Sequence, residues 1–229
     1  MKFGKFTSLL LVGLVTTGAL VHAAFIKTEE IDFKSILPAP PAVDSDTTKQ
    51  EIEQILQLQN TRTPAEVARA KSEANYTVWV FATPLGSWFK ADNLPVTGKF
   101  LNEILSETGT VTTPAKNFYA RKRPFLIDAR IKPCFDVDAS FSYPSGHSDA
   151  ATVEGLVLAK MFPDDEDALI ARSKQIGDDR VLAGVHFPSD VEAGRTLGKA
   201  IFEKMEAAPD FETQLLNARD ECRAHRPGN

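Results

Sequence analysis

Apolar residues in this chain recur at spacings of three and four, and no run alternates apolar with polar residues long enough to make a convincing strand. Ile52, Ile55 and Leu56 form one such stripe, and Phe100, Leu101, Ile104 and Leu105 form another. Val153, Leu156, Val157 and Met161 make a third, and Val191, Leu197, Ile201 and Met205 a fourth. Start and stop signals bracket these stripes. Thr48-x-x-Glu51 and Ser189-x-x-Glu192 have the capping-box pattern, and Thr63-Pro64-Ala65-Glu66 adds a proline at the first helical position. A helix is expected from about Ser145 to Phe162, where Pro163 follows. Asp164 or Asp165 is placed to cap the next helix, and Asp210 to open the last. Val78 to Phe81 is short but reads as helical. The expectation is all-α: a single-domain helical bundle of about seven to nine helices.

The ends of the chain read differently. Lys2 and Lys5 precede an apolar stretch from Phe6 to Val21, and Val21-x-Ala23 supplies small residues for cleavage. Residues 1–23 therefore read as a secretory signal peptide. The stretch is short for a membrane span and is broken by Gly13 and Gly18. Residues 24–44, with Pro38, Pro40 and Pro41, are expected to form an extended arm, and residues 45–229 the domain. Export implies a periplasmic or secreted protein. In an oxidising compartment Cys134 and Cys222 are a candidate disulfide. The absence of Cys-x-x-Cys leaves a thiolate zinc site without support. A net charge of −5 argues against a nucleic-acid binder. A mean hydropathy of −0.18 argues against a multi-span membrane protein.

Chemistry concentrates in three segments. Lys116 to Lys132 is a basic island in an acidic chain, and Pro124 fixes where Arg123 points. Arg and Lys converging on one anion suit phosphate: Arg gives bidentate geometry, Lys a point charge. Pro144-Ser145-Gly146-His147 stands immediately before a helical run, where free backbone N–H groups and the helix dipole attract an anion. In Asp179-Arg180-(x5)-His186-(x3)-Asp190, Asp190 is placed to accept from one imidazole nitrogen and leave the other as nucleophile or base. Each segment alone is also consistent with a structural role, as a solvated basic face, a helix cap or a core histidine.

Taken together and in order, Lys116-(x6)-Arg123-Pro124, Pro144-Ser145-Gly146-His147 and Arg180-(x5)-His186-(x3)-Asp190 resemble the signature of the phosphatidic acid phosphatase type 2 (PAP2) superfamily. Within it the chain is similar to the class A bacterial non-specific acid phosphatases; vanadium-dependent haloperoxidases share the signature. The resemblance implies a helical bundle of that type and a phosphomonoesterase that uses neither metal nor cofactor. It implies that His186 is the nucleophile, oriented by Asp190, and that His147 is the general acid. Lys116, Arg123, Ser145, Gly146 and Arg180 would hold the phosphate. The implied partners are small phosphate monoesters, with inorganic phosphate or vanadate as inhibitors, no nucleic acid, and no membrane span after signal removal. Homo-oligomerisation stays open. One position departs from the pattern: Asp179 stands where the family has serine. Three readings follow for it: it turns away to pair with Lys116 or an arginine, it enters the site protonated, or it weakens phosphate binding. Two alternatives to the esterase remain: a vanadate-binding haloperoxidase-like enzyme, and a non-catalytic phosphate binder motivated by Asp179.

Overall fold

A computed structural model of the chain describes residues 24–137 and 140–228. The signal-peptide reading of residues 1–23 lies outside the described residues. Among those described, there is no strand, and seven helices have nine residues or more. They are α1 (Asp46–Thr61), α2 (Pro64–Ser72), α3 (Pro95–Tyr119), α4 (Gly146–Met161), α5 (Glu166–Leu182), α6 (Pro188–Glu206) and α7 (Phe211–His225). Val78–Phe81 is a 3-10 turn.

α4 is the central helix, packed most extensively against α5 and α6 and then against α3. Its sequence carries little amphipathic bias because it is buried nearly all round: Ala150, Val153, Val157, Leu158 and Met161 on several faces, with Asp149 and Glu154 buried among them. Gly194 lets α6 lie directly on the first turn of α4. A Cβ there would come within 2.5 Å of the Ser145 carbonyl oxygen. The same contact is tied by the Ser145 amide donating to the Asp190 carbonyl at 2.9 Å. Two of the three motif segments are thereby locked together.

Local signals held at some helix starts and not at others. Thr63 and Glu66 form the expected capping box, Thr63 Oγ1 accepting from the Glu66 amide at 3.3 Å and Glu66 returning to the Thr63 amide at 2.7 Å. At α1, however, the cap is Ser45, which accepts from the Thr48 amide at 3.2 Å. Thr48 lies inside the helix, and Glu51 is drawn away by a distant arginine. At α6 the carboxylate of Asp190, not Ser189, accepts from the Phe187 amide, at 2.8 Å. In both cases an equally good cap stands a few residues upstream or one residue on.

The arm is also corrected. It contains two helical turns, Thr28–Glu30 and Phe33–Ile36, and it is docked. Phe25, Ile26, Ile31 and Leu37 are buried, and the Phe25 and Ile26 amides donate to Glu107 at 3.1 and 3.0 Å. At roughly 1.5–3 kcal/mol for each large side chain buried, this holds the arm firmly. The cysteines are free thiols. Cys222 is buried on α7 against Thr97, whereas Cys134 packs with Leu182, Ala183 and Val185 in a separate cluster, so the candidate disulfide is not formed. No helix among the described residues is long and apolar enough to cross a membrane.

Candidate active site

The three motif segments meet at one cavity of about 250 Å³, lined by Lys116, Arg123, Gly146, His147, Arg180 and His186. Lys116 sits in the last turn of α3 and donates to the Phe141 carbonyl at 2.7 Å. α3 then ends on Ala120 in the left-handed region (φ 48°), and the chain leaves extended, with Pro124 confining Arg123 to that conformation. Arg123 is buried. It donates from Nε and Nη2 to the carbonyl and hydroxyl of Ser140, and from Nη1 to the Val185 carbonyl.

Arg123 Nη1 also lies 2.8 Å from His186 Nε2. Since a guanidinium can only donate, Nε2 is the acceptor and the imidazole proton sits on Nδ1. Nδ1 faces Asp190 Oδ2 at 3.3 Å and Ser142 Oγ at 3.4 Å. Gly184, at φ 77°, turns the chain from α5 into this loop; the Val185 and His186 amides close it on the Arg180 carbonyl. Burial pushes His186 well below the ordinary histidine range; Asp190 opposes this, while Arg123 and Lys116 add to it. Burial alone would raise Asp190, but the hydrogen bond from His186, then Arg121 and Ser142, hold it below its usual value. The resting imidazole is neutral, with a lone pair on Nε2.

His147, on the first turn of α4, lines the same cavity. Its Nε2 lies 3.0 Å from the Glu73 carbonyl and 3.3 Å from the Ala74 carbonyl. Carbonyls only accept, so Nε2 carries the proton and Nδ1 is left for chemistry. Burial, followed by the charge of Arg180, pushes His147 down to about 4.

Arg180 is 1% exposed. Its Nη2 donates to Glu73 at 2.9 Å and to the Ala70 carbonyl at 3.0 Å, while Nε and Nη1 are buried with no acceptor among the described residues. Buried guanidinium donors left unmatched are costly, and an anion in the cavity that Arg180 lines would supply acceptors for them.

Not every expected residue faces the cavity. Ser145 is fully buried as the N-cap of α4, accepting from the Ser148 amide at 3.4 Å, and does not line it. Asp190 stands behind His186. Asp179 is 2% exposed and turned away: Arg69 of α2 grips it in a fork, Nε to Oδ2 at 2.7 Å and Nη2 to Oδ1 at 2.8 Å. Of the three readings for this position, the structure matches pairing with an arginine, though that arginine is Arg69. Sequence reasoning missed Glu73 and Ser142. Glu73 holds Arg180 and also Arg172, at 2.6 Å, while its carbonyl orients His147. Ser142 Oγ donates to Asp190 at 2.5 Å. Ser142 lies one residue before Tyr143-Pro144, close enough to the second motif to have been weighed; Glu73 had no such signal. Among the described residues no three His, Cys, Asp or Glu side chains gather as metal ligands.

Comparison with known proteins decides the family. Residues 98–203, which span the three motifs, match the PAP2 superfamily. These residues form a PAP2 superfamily domain. The non-specific acid phosphatase of Salmonella typhi is 28% identical over 222 residues, 93% of this chain and 88% of that protein. That of Providencia stuartii is 29% identical over 205 residues, 85% of this chain and 82% of the relative. Among solved structures, a bacterial vanadium-dependent iodoperoxidase superposes with a TM-score of 0.59 at 16% identity, covering 77% of this chain and 52% of that one. At such identity the likeness speaks for the PAP2 fold alone.

Proposed function

We propose that this PAP2 protein is an exported, periplasmic or secreted phosphomonoesterase that hydrolyses soluble phosphate esters through a phosphohistidine at His186. The observation that carries the reading is one cavity lined by Lys116, Arg123, His147, Arg180 and His186, where Arg180 Nε and Nη1 have no acceptor among the described residues and the His186 Nε2 lone pair is covered only by Arg123. The similarity to enzymes named non-specific acid phosphatases over most of both chains supports it.

The chemistry needs positioning and charge more than covalent assistance. A phosphate entering the cavity accepts from Arg180, Lys116 and Arg123, and from the N–H groups that open α4 at Gly146 and His147. Arg123 thereby transfers an N–H from His186 Nε2 to a phosphate oxygen and uncovers the nucleophile. Nε2 attacks phosphorus as the ester P–O bond breaks. His147 delivers a proton from Nδ1, so the leaving group departs as the alcohol. Asp190 holds the proton on His186 Nδ1 throughout. Water then attacks the phosphohistidine, His147 takes its proton, the N–P bond breaks, and phosphate is released. An alcohol in place of water gives transfer instead of hydrolysis.

The phosphate arrives with negative charge that offsets Arg180 and Arg123, the charges that help keep His147 unprotonated. Substrate binding therefore loads the general acid with its proton. The position of Asp179 on Arg69 removes the motive for a non-catalytic binder. Turnover of p-nitrophenyl phosphate between pH 4 and 8, with and without EDTA, tests the proposal. Activity that survives EDTA supports it, and loss restored by zinc or magnesium contradicts it.

A further inference from the structure

Behind the nucleophile lies a buried ion system that joins Asp190 to two residues the motifs do not specify, Arg121 and Glu51. Glu51 from α1 and Arg121 are each 7% exposed. Arg121 Nη1 donates to Asp190 Oδ1 at 2.6 Å and to Ser189 Oγ at 2.7 Å, and Nη2 donates to Glu51 Oε2 at 3.0 Å. Its guanidinium lies 4.0 Å over the Phe187 ring. The other oxygen of Glu51 accepts from the Ser189 amide, a first-turn N–H of α6, at 2.6 Å. A continuous line of contacts thus runs from α1 to Nδ1 of the nucleophilic imidazole: Glu51, Arg121, Asp190, His186.

We propose that Glu51 and Arg121 are positioning residues that act through Asp190 on the aim and basicity of His186, with opposite signs. This rests on the phosphohistidine reading above. Arg121 offsets the charge that Asp190 presents to His186. Removing it leaves Asp190 a stronger attractor for the imidazole proton and makes His186 a tighter proton binder. Glu51 offsets Arg121 in turn, so removing Glu51 makes His186 a weaker proton binder. The other groups facing this line are few. Arg123 and Lys116 face His186, Ser142 contacts both His186 and Asp190, and Tyr143 lies close enough to feel Asp190 and Arg121.

The test compares wild type with Arg121→Gln and Glu51→Gln. The readouts are His186 ring titration by NMR, identified by its absence in His186→Gln, the acid limb of kcat/KM on p-nitrophenyl phosphate, and Tm. Arg121→Gln is expected to raise His186 proton affinity on the order of tenfold, moving the acid limb to higher pH. Glu51→Gln is expected to move the titration the other way. If Arg121→Gln does not fold, Arg121→Lys keeps the charge and should restore a wild-type titration at a lower Tm. Shifts of the same sign in both variants, or lowered Tm with no shift in either, would overturn the proposal. The ring titration needs no turnover, so it judges the relay separately: absence of a phosphoenzyme in wild type would overturn the phosphohistidine reading instead.

Discussion

Asp179→Ser restores the serine of the resembled signature, and its outcome follows from where the carboxylate points. Asp179 is buried and held in a bidentate fork by Arg69, whose side chain is 32% exposed. Removing one partner of a fully buried pair costs about 3–5 kcal/mol. Arg69 can regain water, which brings the figure to roughly 1.5–3 kcal/mol. For a domain of this size, about 2–4 °C per kcal/mol gives a fall in Tm of roughly 3–12 °C. Arg69→Ala should fall by a similar amount, and the double variant by little more than either single one. Since Asp179 does not line the cavity, the inhibition constant for phosphate should change less than about threefold and the pH profile should hold. Calorimetry and competitive inhibition against p-nitrophenyl phosphate measure both. An unmoved Tm with phosphate inhibition tightened about tenfold would show that the carboxylate faces the phosphate and would refute the reasoning.

Four further outcomes are expected. His147→Ala should slow hydrolysis of alkyl phosphates by about 10²–10⁴-fold and of p-nitrophenyl phosphate far less, because an aryloxide needs little protonation; equal losses on both esters would remove His147 as the general acid. Phosphate binding near pH 5.5 should draw a proton from buffer, since His147 rests near 4 and gains an anion beside it; calorimetry in two buffers of different ionisation enthalpy checks this, and no buffer dependence would contradict it. Glu154, buried against Tyr76, is pushed up from 4.5 to about 8, so the folded state prefers its protonated form and loses stability as pH rises through that window. Glu154→Gln should therefore raise Tm at pH 8 and leave it nearly unchanged at pH 4, and an equal gain at both would show that Glu154 is not the titrating group. Vanadate, a mimic of the five-coordinate phosphoryl state, should inhibit in competition with substrate and in the presence of EDTA; noncompetitive inhibition would place it elsewhere.

What was legible in the sequence was local, or local in three places at once. The stripe around Val153 and Val157, Ser145 before it and Pro163 after it placed α4 because caps and period agree there. The motif residues could be read as one site because fixed spacings impose fixed geometry within a turn or two. What was not legible depends on contacts between segments far apart. Arg69 meets Asp179 across 110 positions, and Glu51 meets Arg121 across 70, with no local pattern in either case. Glu51 was read as half of a capping box because Thr48 stands three residues before it, when Ser45 already satisfies that helix end. The cysteine pair fitted an exported chain by count alone, and count carries no distance.

The central claim is that His186 carries the phosphoryl group, and trapping tests it most directly. The enzyme is mixed with a ³²P-labelled ester, quenched within milliseconds in alkali, where phosphohistidine survives, and mapped by mass spectrometry. The account predicts label on His186, at no more than one phosphate per chain, chased by water or an added alcohol and absent from His186→Ala. Label on another residue, or undiminished turnover in His186→Ala, would contradict it.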